Sequence, residues 1–176
     1  MTRSLGSLSG RKALAVALVL LAAAAACWLI LDKRNSEFDP LAILNHPERL
    51  TLYSIDGDAV RHDRKLEGAE DFHGAPVLGK VEITDGDARA AITQVLKRGM
   101  ETPESAKECF WPRHALRVVS GRRTVDFLIC FECSQIYAYE GSSRLFKPVS
   151  RTPQPVFNRY LREAGLPLSK GMAPDL

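Results

Sequence analysis

Residues 13–31, ALAVALVLLAAAAACWLIL, run for 19 positions without a charge, a glycine or a proline. As a helix rising about 1.5 Å per residue, the run is about 28 Å long, close to the roughly 30 Å hydrocarbon core of a bilayer. No polar face interrupts it, which argues against a buried helix of a soluble fold. Trp28 stands near its outer end, where aromatic rings favour the membrane interface, and Asp32-Lys33-Arg34 stops it sharply.

Three outcomes fit this segment. The first is an uncleaved signal anchor: a short cytoplasmic tail (1–12), one transmembrane helix (13–31) and a polar tether (32–38) leading to an extracytoplasmic domain (39–176). The second is a cleaved signal peptide, for which Ala24-x-Ala26 supplies small residues. The third is a lipoprotein signal with Cys27 as the lipidated residue. Against the third, Ala24 stands where a larger aliphatic residue is usual, and WLIL follows Cys27 instead of a polar stretch. The anchor is the preferred reading. Arg3, Arg11 and Lys12 precede the run and Lys33, Arg34 and Arg49 follow it, so the positive-inside count is nearly tied. The short basic leader still has the form of an export signal, and all three outcomes put residues 32–176 on the oxidising side. The bias toward Ala and Arg points to a bacterium, and so to the inner membrane and the envelope.

The net charge of +3 comes from the first 31 residues, which hold three cations and no acid. The rest balances 21 Lys+Arg against 21 Asp+Glu. A neutral domain of mixed charge lacks the basic footprint of a nucleic-acid binder. The expected partners are therefore the membrane and another envelope protein.

Beyond the tether, LTLYSI (50–55) alternates as a strand, and Asp56-Gly57 punctuates it. Residues 57–75 read as a long polar connection containing His62 and His73, and PVLGKVEI (76–83) as a second strand. The period then changes to that of a helix. Asp85 caps it, Ala88, Ala91, Ile92, Val95 and Leu96 share one face, and Gly99 suits the position just past the end. ALRVVS, TVDFLICF, QIYAYE and RLFKPV form an antiparallel meander, the β-rich core over 115–148. After Pro155 a last helix shows the stripe Val156, Phe157, Tyr160, Leu161 and Ala164, stopped by Gly165 and Pro167. The expected fold is α+β: an antiparallel sheet in the order β-β-α-β-β-β-α with helices packed on one face.

With Gly121-Arg122 as the turn, residues whose numbers sum to 243 face each other. Val118 then meets Val125, Leu116 meets Phe127 and Arg117 meets Asp126, and a slip of one residue mismatches all three. Extended to the open end, this register brings Cys109 beside Cys133 and His114 beside Cys130. Three thiols and an imidazole match a zinc set in type and number, but CFEC lacks the glycine of a zinc knuckle and sits in a strand-like run. A thioredoxin-like dithiol needs a helix N-terminus that is not evident here. Haem attachment fails because Ser134 stands where C-x-x-C-H requires histidine. The preferred reading is a Cys109–Cys133 disulfide with Cys130 a small buried thiol. The zinc or thiol site built from Cys109, His114, Cys130 and Cys133 stays open as the alternative.

On CFWPRH…VDFLICFECSQIY, together with FHGAPVLGKVEI and QPVFNRYLREAGLP, the chain resembles a group of bacterial membrane-anchored or exported proteins with a C-F-x-P-R-H … C-F-x-C pattern. The resemblance implies an exported, single-fold domain over most of 50–168 and no activity. No paired catalytic constellation or phosphate loop accompanies these motifs. The leading functional expectation is thus a non-enzymatic binding or envelope-support domain without a cofactor. The rival is envelope thiol-redox or zinc chemistry, and a third reading is a hydrolase using His114 or His73.

Overall fold

A computed structural model describes residues 20–21, 39–64 and 67–170. The expected cytoplasmic tail, tether and lipidation residue Cys27 lie outside the described residues, as does the expected span apart from Leu20 and Leu21. Among the described residues no helix is long and apolar enough to cross a membrane. Asp39–Leu176 forms one compact unit.

In that unit the elements run α1 (Pro40–Ile43), β1 (Arg49–Ile55), α2 (Gly57–Arg61), β2 (Asp71–Phe72), β3 (Ala75–Glu82), α3 (Gly86–Glu101), β4 (His114–Ser120), β5 (Arg123–Cys130), β6 (Gln135–Glu140), β7 (Ser143–Pro148) and α4 (Gln154–Glu163). The fold is α+β, with one antiparallel seven-stranded sheet ordered β2-β3-β1-β4-β5-β6-β7. Two corrections to the expected order follow. The expected order counts three strands after the first long helix, but all four meander segments form strands there, RLFKP pairing with β6 along its length. The polar connection over 57–75 is also not structureless. Asp56 caps α2 by accepting from the Asp58 and Ala59 amides. His73 and Gly74, at φ +53° and +85°, make the tight turn of the β2–β3 hairpin.

The register of β4 against β5 is the predicted one, His114↔Ile129 through Ser120↔Arg123. Alternation along the strands then sorts the sheet into two faces. One carries Leu50, Leu52, Leu116, Val118, Val125, Phe127, Ile129, Ile136 and Ala138, all fully buried. Helix α4 lies against this face: its Phe157 ring meets His114, and Leu166 just beyond it packs on Gly79. The other face carries Tyr53, Ala115 and Leu128, with Phe72 of the β2–β3 hairpin folded onto them and Val60 of α2 packed against the cluster. Helical segments are therefore not confined to one face, contrary to expectation, because the one-turn α2 closes the end of the second.

Helix α3 begins as expected, with Asp85 accepting from the Ala88 amide at 2.7 Å. It runs two residues past Gly99 instead of ending there. Gly99 is a packing glycine: a Cβ at this position would lie 2.7 Å from Pro153 and 3.2 Å from Val149, ahead of α4. Its carbonyl also accepts from the Ser150 amide at 2.9 Å. Gly99→Ala should thus destabilise by about 1–3 kcal/mol through overpacking, despite the better helix propensity of alanine. A urea midpoint equal to or above that of the parent would refute this.

Candidate functional site

The open end of the β4–β5 hairpin collects the motifs singled out in the sequence. Cys109 and Cys133 are joined in a disulfide, with Cα atoms 5.7 Å apart. The bond staples the loop before β4 to the turn after β5. Backbone bonds support the same contact: the Lys107 amide donates to the Cys133 carbonyl at 3.0 Å, and the Gln135 side chain donates to the Lys107 carbonyl.

Phe131–Ser134 form the turn between β5 and β6, closed by the Ser134 amide on the Phe131 carbonyl at 3.1 Å, with Ser134 at φ +56°. Cys130 remains a free thiol at the start of this turn and is buried. Its sulfur accepts from the Cys133 amide at 3.3 Å. Burial raises the thiol pKa above its ordinary value of 9.0, and the Trp111 and Cys133 amides offset only part of that rise. A buried, protonated thiol is a poor nucleophile. Native Cys130 should therefore react with iodoacetamide at pH 8 at least about a hundredfold more slowly than in urea. Equal rates would show it to be accessible. The sign for stability follows from the raised folded pKa. The contribution is complete below the unfolded thiol's pKa and declines as pH climbs through the folded value. The Cys130→Ala variant should lose that alkaline decline.

His114 and Cys130 do not share a site, despite their closeness in register. His114 belongs to the face of Leu116 and Val118, while Cys130 belongs to that of Leu128 and Asp126. His114 is 1% exposed, and its Nε2 lies 2.8 Å from Asn158 Oδ1 on α4. Phe131 and Phe157 pack around its ring. Of the four residues proposed as zinc ligands, two are thus consumed in the disulfide and the others point to opposite faces. Among the described residues no group of three or more His, Cys, Asp or Glu side chains is arranged to hold a metal ion.

Arg113, between the two motifs, is 7% exposed. Its Nη1 donates to Ser169 Oγ at 3.1 Å and to the Lys170 carbonyl, and its Nη2 lies 3.4 Å from Glu132 Oε2. It ties the chain after α4 to the hairpin end, helped by Gly57, whose amide donates to Ser169 Oγ. Beside it opens a narrow notch, with room for about one water molecule, formed by Trp111, Arg113, His114, Glu132, Arg151 and Gln154.

A second constellation lies on the other face, and the sequence reading had only part of it. Arg117 donates twice to Asp126, at 2.7 Å each, as the register implied. His73 reaches the same carboxylate from the hairpin turn, its Nε2 2.8 Å from Asp126 Oδ2. Its ring stacks on Tyr139 at 3.9 Å. The ion pair raises the Arg117 pKa further, and burial raises those of Tyr53 and Tyr139. His73 thereby ties the hairpin turn to the sheet. Asn158 and Arg151 were missed too: a single polar residue in an apolar helical stripe and an arginine in a turn carry no motif.

The chain matches no family model, and neither a curated protein nor a solved structure shows significant similarity to it.

Proposed function

We propose that this chain is a single-pass protein of the bacterial inner membrane, anchored by residues 13–31, whose extracytoplasmic domain binds a partner or supports the envelope without catalysing a reaction. The carrying observation is the state of the cysteines: Cys109 and Cys133 bonded to each other, with Cys130 buried beside them. A disulfide belongs to an oxidising compartment, and the 19-residue apolar run is the device that would deliver the domain there.

Reporters fused after residue 176 test the topology. An alkaline phosphatase fusion should be active and a fluorescent-protein fusion dark, and mass spectrometry of the exported chain should find the 109–133 bridge. The reverse reporter pattern, or a chain with all its cysteines reduced, would overturn the proposal. A second reading, envelope thiol chemistry, draws on the C-x-x-C turn that holds the Cys130 sulfur against the Cys133 amide. It requires reversible opening of the staple in a redox buffer. Zinc held by Cys109, His114, Cys130 and Cys133 would require both reduction and a rearranged hairpin end.

A further inference from the structure

Strand β7 lies at one end of the sheet and, among the described residues, pairs only with β6. Gly141-Ser142 is a two-residue turn, so Glu140↔Ser143 is the hydrogen-bonded pair that closes it. Alternation from that pair turns the amides and carbonyls of Ser143, Leu145 and Lys147 toward β6. The Val149 amide on the Ser134 carbonyl, at 3.1 Å, continues this inward series. The amides and carbonyls of Arg144 and Phe146, and the carbonyl of Pro148, are thereby turned away from the sheet. Those are the groups that an added strand bonds.

The side chains of the edge carry one sign of charge. Arg144 and Lys147 are its cations, and β7 contains no acid. No ion pair among the described residues uses either cation. Arg144 and Phe146 stand on the sheet face of Tyr53 and Leu128, and Leu145 and Lys147 on the face of Ile136 and Ala138. The Arg144 guanidinium lies over the Tyr137 ring at 3.8 Å, which holds its charge at the edge. On the same face the rings of Phe110 and Phe146 flank Tyr137, with centroids 4.7 and 5.7 Å from it, and Phe146 is 43% exposed. The edge therefore combines outward ladder groups, an aromatic shelf on one face and one cation on each face.

We infer that β7 receives an extended acidic segment of a partner protein, added antiparallel as a further strand. Ladder bonds give affinity to any strand, and the side chains choose among strands. Residues directly opposite each other share a face, so the segment places an aromatic residue opposite Phe146 and acids opposite Arg144 and Lys147. Read along an antiparallel segment, the pattern is acid, aromatic, any residue, acid. A strand with cations at those places meets like charge directly opposite, which is destabilising. The inference names the surface and the partner chemistry for the binding role proposed above, and it rests on that role for there being a partner.

The test uses the full chain in detergent with its disulfide intact. A short end-blocked peptide carrying Glu-Phe-Thr-Glu between Thr-Val repeats is labelled with fluorescein and titrated by fluorescence anisotropy. Two controls run beside it: the same peptide with Lys for both Glu, and one N-methylated at the Phe amide that would donate to the Phe146 carbonyl. The acidic peptide should bind saturably below about 1 mM, and both controls at least about tenfold more weakly. Hydrogen exchange locates the contact: the Arg144 and Phe146 amides should exchange rapidly in the free chain and become protected by the peptide. The Arg144→Glu/Lys147→Glu variant should reverse the preference, binding the Lys peptide at least about tenfold more tightly than the acidic one. Lys147→Gln alone covers the case in which that double change disturbs folding, and should weaken the acidic peptide about threefold. Arg159→Gln on α4, an exposed side chain, should leave binding unchanged. Four results would each overturn the inference: no saturable binding of the acidic peptide, equal binding of the Lys peptide, Arg144 and Phe146 amides left unprotected in the complex, or edge variants that bind as the parent does. Amides already protected in the free chain would overturn it too, assigning the edge to another segment of this chain in a monomer and to a second copy in a dimer. The topology fusions and the bridge assignment are read on separate samples, so a failed titration leaves export standing and failed export leaves the titration interpretable.

Discussion

The Cys109→Ser/Cys133→Ser variant should unfold at a free energy about 3 kcal/mol below that of the parent. The bridge spans a sequence separation of 24 residues, and opening a loop of that size restores conformational freedom mainly to the unfolded chain. The folded hairpin itself should survive, because β4 and β5 pair over seven residues independently of the bond. The predicted signature is a lower urea midpoint, unchanged far-ultraviolet circular dichroism and faster proteolysis confined to residues 102–113. If the double variant and the parent share one midpoint, the staple contributes nothing and the cysteines serve another purpose. Cys130→Ala is the matched control: it removes a thiol without a covalent bond and should cost far less.

Asp126→Ala should cost a similar amount, about 3 kcal/mol, by a different route. The carboxylate is 6% exposed and accepts from Arg117 twice and from His73 once. Removing it strands a guanidinium against the sheet and leaves a histidine in a left-handed conformation without its tether. The Arg117 head is partly exposed, so water recovers some of the loss. The hairpin recovers none of it, and the β2–β3 turn should become the first site of proteolytic cutting. His73→Ala should open the same turn at lower overall cost. An Asp126→Ala chain with a parental midpoint and a protected turn would show that aromatic stacking alone suffices there.

These effects bear on what the sequence could reveal. The β4–β5 register was legible because a glycine turn, two apolar pairs and one ion pair all demanded the same alignment. The 109–133 staple followed from that alignment. The relation of His114 to Cys130 was not legible from register alone. Pairing brings two residues close along the ladder, whereas the pleat decides which side of the sheet each one faces. Helix α2 and strand β2 were hidden in a charged, glycine-bearing stretch, since five- and two-residue elements are too short to show a period. His73-Gly74 gave a weak signal, as the usual two-residue turn carries Asn or Asp at its first position. Gly99 shows the opposite failure. A glycine near the end of a helical pattern reads as a stop, yet its use is the close approach of the segment leading into α4, information that resides only in the tertiary packing. The arginine notch draws on three separate segments of chain, so no local motif could announce it.

One edge of the sheet is the six-residue β7, while the other is formed by β3, of which the two-residue β2 covers only Ala75 and Pro76. A six-residue edge offers unpaired backbone groups to any neighbouring strand, and Phe146 on it is 43% exposed. Two copies meeting along such an edge could pair strand to strand and stack into fibres. Arg144 and Lys147 flank that phenylalanine, and Pro148 lacks an amide to donate. An incoming copy would have to bury like charges and forgo a ladder bond. The edge thus resists strand addition from a second copy.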